Sequence, residues 1–178
     1  MSSMVRLSLA ALVFSLALAS PASAQANGQD GAEWDQARLQ NAANRDPAMA
    51  QAIARWKLLT SSDRFAFGDY ASFLLSYPGF PEEVRLRAGA ERALDREYAE
   101  AARVVAYFDR FPPQTNPARA HYAIALWALR RPQAGSVALE AWRGGPMSDT
   151  AEATLFAQYA TAMSLADHDA RMNALLWA

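Results

Sequence analysis

The chain has 178 residues, 52% of them hydrophobic, with a formal net charge of −1 and no cysteine. That length bounds it to one or two domains, and the apolar content is enough for a core, so intrinsic disorder is excluded for the bulk of the chain. A near-neutral charge gives no general field toward nucleic acid or an anionic membrane. The lack of cysteine removes disulfides, zinc thiolate sites, cysteine nucleophiles and a lipid thioether together.

In chain order, Met1–Ala24 reads as a secretory signal. Arg6 supplies the positive start, Leu7 to Ala19 the apolar stretch, and Ala22-Ser23-Ala24 the small-residue cleavage pattern. The apolar stretch is shorter than the roughly 20 residues a bilayer span needs. Cleavage after Ala24 predicts a soluble periplasmic protein beginning at Gln25, with no membrane attachment. Residues 25–31 read as a polar flexible linker, and 32–178 as one helical domain.

The rest is patterned for helices. The expected segments are 32–43, 47–59, 66–77, 81–95, 98–110, 117–130, 132–142, 149–165 and 167–177. Their boundaries rest on prolines and caps: Asp46-Pro47, Tyr77-Pro78 to Pro81, Phe111-Pro112-Pro113, Asn116-Pro117, Arg131-Pro132, Asp149 with Glu152, and Asp167. Between the breaks, Leu86, Ala90, Ala93 and Leu94, then Tyr98, Ala101, Ala102, Val105 and Phe108, recur at helical spacing. No segment shows the period-two alternation of a strand. The fold class is all-α.

Alternate helix starts recur about every 34 residues, the period of tetratricopeptide-type repeats. Asp69-Tyr70-Ala71 and Glu97-Tyr98-Ala99 open two of the segments alike, although the Trp-Leu-Gly-Tyr signature of those repeats is missing. The spacing predicts irregular helical hairpins stacked as a TPR-like α-solenoid, a right-handed superhelix. The last segment ends on Leu175-Leu176-Trp177-Ala178, apolar where a terminal repeat needs a polar outer face. The domain is therefore expected to be truncated at its C-terminus.

Sites for chemistry are few. The GxSxG, HExxH and GxGxxG patterns and the phosphate-binding glycine loop do not occur. His121 reads as an ordinary helix residue. His168, between Asp167 and Asp169, could serve a metal or acid–base role, but a helix start explains the two acids better. Glu82 and Glu83 are adjacent, project to different helix faces and fit paired-carboxylate glycosidase chemistry poorly. Arg85, Arg92 and Arg96 fall on one stripe, with Arg103 following, and could pair with carboxylates of an anionic glycan or peptide. A solvated face partly neutralised by Arg87–Glu91 is the competing account. Trp56, Trp127 and Trp142 are assigned to core packing in preference to a sugar-stacking platform.

Three stretches together resemble a known family. FGDYASFLLSYPGFPEEVRLRAGAERAL, FDRFPPQTNPARAHYAIALWAL and LEAWRGGPMSDTAEATLFAQYATAMSLADHDARMNALLW are similar, in that order, to the N-terminal helical region of soluble lytic murein transglycosylases. The last carries an Ala-Trp-Arg turn and an ending with Asp167, His168, Arg171, Leu175, Leu176 and Trp177. Asn116-Pro117-Ala118 departs from the glycine often found there. The resemblance implies a superhelix with peptidoglycan glycan strands as partner and no cofactor. It also implies a separate C-terminal lysozyme-like domain, which forms 1,6-anhydromuramoyl ends with one glutamate. That domain's Glu-Ser and Gly-Leu-Met-Gln motifs occur nowhere in these 178 residues, so no catalytic residue carries over. The expected role is a murein-binding or positioning scaffold without lytic activity. The alternatives are a free-standing periplasmic TPR-like interaction module and, more remotely, a small enzyme using His121 or His168.

Overall fold

A computed structural model describes residues 30–44 and 46–178. The predicted signal segment Met1–Ala24 and the linker up to residue 29 lie outside the described residues. Among those described, the chain is all-α, as the patterning requires. The helices are α1 (Asp30–Ala43), α2 (Pro47–Ser61), α3 (Phe67–Ser76), α4 (Glu83–Leu94), α5 (Ala101–Arg110), α6 (Asn116–Ala128), α7 (Ala134–Arg143), α8 (Asp149–Tyr159) and α9 (Leu165–Leu176). A 3₁₀ turn, Ala160–Ala162, follows α8.

Several ends differ from the sequence reading for local physical reasons. α6, α8 and α9 are capped by Thr115, Ser148 and Ser164, one to three residues ahead of the expected Asn116, Asp149 and Asp167. Each hydroxyl accepts from an amide in the first helical turn, which a flanking Asn or Asp could also have done. Asp167 instead closes a capping box by accepting from the Ser164 amide at 2.7 Å. Pro81 does not open α4: the Trp56 indole donates to its carbonyl at 2.8 Å, and Glu82 turns left-handed at φ 58° before the helix begins.

α5 starts at Ala101 rather than at residue 98. Glu97 is spent accepting from the Phe67 amide at the start of α3, so the chain stays extended through Glu100. Tyr98 is consequently exposed, not a core residue, whereas Tyr70 is buried. The similar Asp-Tyr-Ala and Glu-Tyr-Ala openings are therefore not structurally equivalent.

Among the described residues, each helix touches only those one or two places away in the chain. The pairs α2–α4, α4–α6 and α6–α8 form a continuous row, whereas α3–α5 and α7–α9 are not linked to each other by an α5–α7 contact. The core is uneven along this row. Its larger part joins α2 to α6 through Leu59, Phe67, Tyr70, Leu74, Leu86, Tyr107, Phe108 and Leu126. A second, smaller cluster joins α6, α7 and α8 through Ala120, Ala123, Ala138, Ala141, Ala151 and Leu155, where small side chains let the helices approach. Beyond it, α9 leaves Met172, Leu176 and Trp177 in solvent, the last 89% exposed.

Two contacts fix neighbouring helices closely. Gly89 of α4 faces the Tyr70 ring, and a Cβ there would come within 2.9 Å of it, while the Tyr70 hydroxyl donates to the Ser62 carbonyl at 3.0 Å. Glu91, only 3% exposed, accepts from the amides of Gln114 and Thr115 at 2.7 and 2.9 Å, holding the entry to α6. Glu91→Ala would take the acceptor from both part-buried amides and is expected to cost about 1–3 kcal/mol. Gly89→Ala should cost about 1–3 kcal/mol by overpacking. Urea unfolding followed by circular dichroism measures both; a loss under about 0.5 kcal/mol in either variant would contradict the assignment.

Candidate functional site

Of the three arginines singled out in the sequence, Arg85 and Arg92 lie on α4 and Arg96 just past its end, and all three act on the end of α2 and the turn to α3. Arg85 donates to the Thr60 carbonyl at 2.7 Å and to the Glu82 carboxylate at 2.9 Å. Arg92 pairs with the Asp63 carboxylate at 3.2 Å, and Arg96 donates to the Asp63 carbonyl at 2.8 Å. Each keeps substantial exposure, so the stripe is a clamp with one open side. Arg103 is not part of it; its guanidinium lies over Gly68 at the start of α3. Arg87 and Glu91 do not pair with each other. Arg87 donates to the Pro112 carbonyl at 2.7 Å beside the amides that Glu91 takes, so both hold the loop before α6.

The acids and histidines are dispersed. Glu82 pairs with Arg85, while Glu83 accepts from the Gly79 amide at 2.7 Å. His121 meets Asp95 at 3.0 Å on the rim of an apolar cavity of about 270 Å³ between α4, α6 and α8. His168 packs edge-on against Trp142, 5.6 Å between ring centroids. Among the described residues no three His, Asp or Glu side chains gather into a metal-binding group.

Of the tryptophans, Trp56 and Trp142 are buried as expected, but Trp127 is 50% exposed. It sits over the turn between α6 and α7. The signal available in the sequence was Arg130 and Arg131, at i+3 and i+4 from it.

The most tightly organised polar group was not anticipated. Asp167 and Arg171 are one turn apart on α9, and both are 5% exposed. Asp167 pairs with Arg143 of α7. Arg171 donates to the carbonyls of Trp142 and Gly145 and to Glu152 at 3.3, 2.8 and 2.6 Å, with its guanidinium 4.3 Å from the Trp142 ring centre. Glu152 is thus an ion-pair partner rather than a cap. The Ala-Trp-Arg turn and the Asp-His-x-x-Arg segment, read separately in the sequence, interlock in space.

Hydrogen bonds from the Ser164 hydroxyl and amide, and then from Arg143, hold the Asp167 carboxyl down at about 2. A depressed carboxyl stabilises the folded state fully above its unfolded pKa, about 3.9, and loses that contribution as pH falls through the folded value. The stability difference between the native chain and Asp167→Asn should therefore be constant above about pH 4.5 and vanish toward about pH 2. Thermal melts of both proteins across that range read it; a difference unchanged by pH would contradict the pairing.

No protein-family model, curated protein or solved structure matches this chain.

Proposed function

We propose that the chain is the helical scaffold of a soluble lytic murein transglycosylase. In this reading it is an exported, right-handed superhelix of hairpins that binds or positions peptidoglycan glycan strands in the periplasm. Cleavage belongs to the family's lysozyme-like domain, which is the scaffold's partner. The observation that carries the reading is the contact rule: helices that meet only first and second neighbours are what stacked hairpins produce. It is supported by the order of the three similar segments and by the interlock of Trp142 and Arg143 with Asp167 and Arg171. The open side of the Arg85, Arg92 and Arg96 stripe supplies a cationic surface for carboxylates of the wall polymer.

A second reading, a free-standing periplasmic interaction module, is favoured by one observation, the half-exposed Trp127 beside two arginines.

Co-sedimentation with purified murein sacculi separates them. The scaffold reading expects the purified chain to pellet with murein, to be released by roughly 0.5 M salt, and to leave turbidity unchanged. Arg85→Gln/Arg92→Gln/Arg96→Gln, checked for intact helicity, should pellet several-fold less. A chain that stays in the supernatant at every murein concentration contradicts the reading, and so does clearing of the suspension by this chain alone.

A further inference from the structure

The turn from α6 to α7 has a side-chain arrangement its fold does not require. Arg130 adopts a left-handed conformation at φ 53°, and the Arg131 amide closes back on the Leu126 carbonyl at 2.9 Å. Helix ends of this kind favour glycine or asparagine at the left-handed position, because a Cβ is strained there. An arginine in that place puts two consecutive guanidiniums on the rim of a cleft of about 510 Å³ walled by Trp127, Ala134, Gly135 and Tyr159.

Neither guanidinium is fully committed. Arg131 has the Asp109 carboxylate at 3.8 Å, and that carboxylate already accepts from the Tyr122 hydroxyl at 2.6 Å. Arg130 has no hydrogen-bonded or ion-pair partner among the described residues. The carbonyl end of α6 and the amide end of α7 meet at this corner with partial charges of opposite sign, so the guanidiniums set the local field.

We propose that this cleft docks an acidic peptide segment of a partner protein. A bulky apolar side chain lies against Trp127 and Tyr159, and a neighbouring Asp or Glu pairs with Arg130 and Arg131. Charge complementarity selects the occupant, since a guanidinium fork matches a carboxylate. Trp, Tyr and Arg are also the residue types that carry most of the binding energy at protein interfaces. A saccharide fits less well: besides the two guanidiniums the wall offers only the Trp127 indole N–H and the Tyr159 hydroxyl, and no side-chain carboxylate or amide to accept from ring hydroxyls. A nucleic acid is disfavoured because a chain of net charge −1 offers no extended basic track. The proposal is independent of the murein reading and survives or fails separately.

The test pans a phage-displayed library of random peptides against the full chain, then measures affinities of the selected peptides by fluorescence anisotropy. The expected result is enrichment of Asp or Glu flanking Leu, Phe or Trp, with affinity falling between roughly 0.05 and 0.5 M salt. Trp127→Ala and Arg130→Gly should each weaken binding about tenfold or more. Arg130→Gly relaxes the left-handed residue, so it should melt no lower than the native chain, and its loss of affinity is then a loss of contact rather than of folding. Peptides enriched without acids, or affinities untouched by Arg130→Gly, would overturn the proposal. Displacement of the peptides by an N-acetylglucosamine oligomer would also overturn it, by assigning the cleft to a saccharide.

Discussion

The structure depends on how the turns between helices satisfy their backbone polar groups. A helix row leaves its connecting turns with carbonyls and amides that no helical ladder can use. Here side chains from other helices reach across to several of these turns. Trp56 takes the Pro81 carbonyl and Arg85 the Thr60 carbonyl, while Arg87 takes Pro112. Glu91 receives the amides of Gln114 and Thr115. Farther along, the Asn116 amide donates to the carbonyls of Ala141, Gly145 and Pro146, and Arg171 donates to those of Trp142 and Gly145. Each clamp joins positions 23 to 30 residues apart, so the same device that closes a turn also ties together helices distant in the chain.

Energetically the row is not uniform. Between α2 and α6 the clamps sit over a core of large aromatic and aliphatic side chains, including the edge-to-face pair Phe67–Tyr107 at 5.3 Å. From α6 to α8 the buried groups are mostly alanines around Leu155, which contribute far less apolar area. There α9 is held chiefly by charge: Asp167 with Arg143, and Arg171 with Glu152 and the Trp142 ring. In each pair one member is buried and the other about half exposed, so losing the exposed member strands a buried charge, and this end gains a defined docking geometry from a network that adds little hydrophobic stability.

The helices were legible in the sequence because proline and cap residues punctuate a strong 3.6-residue pattern. Cap identities were less so, since Thr115-Asn116 and Ser148-Asp149 each offer two competent side chains in a row and only the backbone decides. Tyr98 was misplaced because Glu97 is drawn to the start of α3, thirty positions back, which no local pattern encodes. The same reason hid the clamp role of Arg85, Arg92 and Arg96: their common face was visible, but not that Thr60 and Asp63 lie beneath it. Trp127 reads as core from its apolar neighbours Ile124, Leu126 and Ala128, although Arg130 and Arg131, one turn on, stand at its open side.

A row of helices that meet only near neighbours, with a heavy core at one end and a light, charge-held one at the other, must open in stages. Native-state hydrogen exchange across a series of low denaturant concentrations tests this most directly. The account predicts that amides of α8 and α9 exchange through a partial opening of smaller denaturant dependence, while those of α3, α4 and α5 exchange only through global unfolding. A single common opening free energy and slope from α2 to α9 would contradict it.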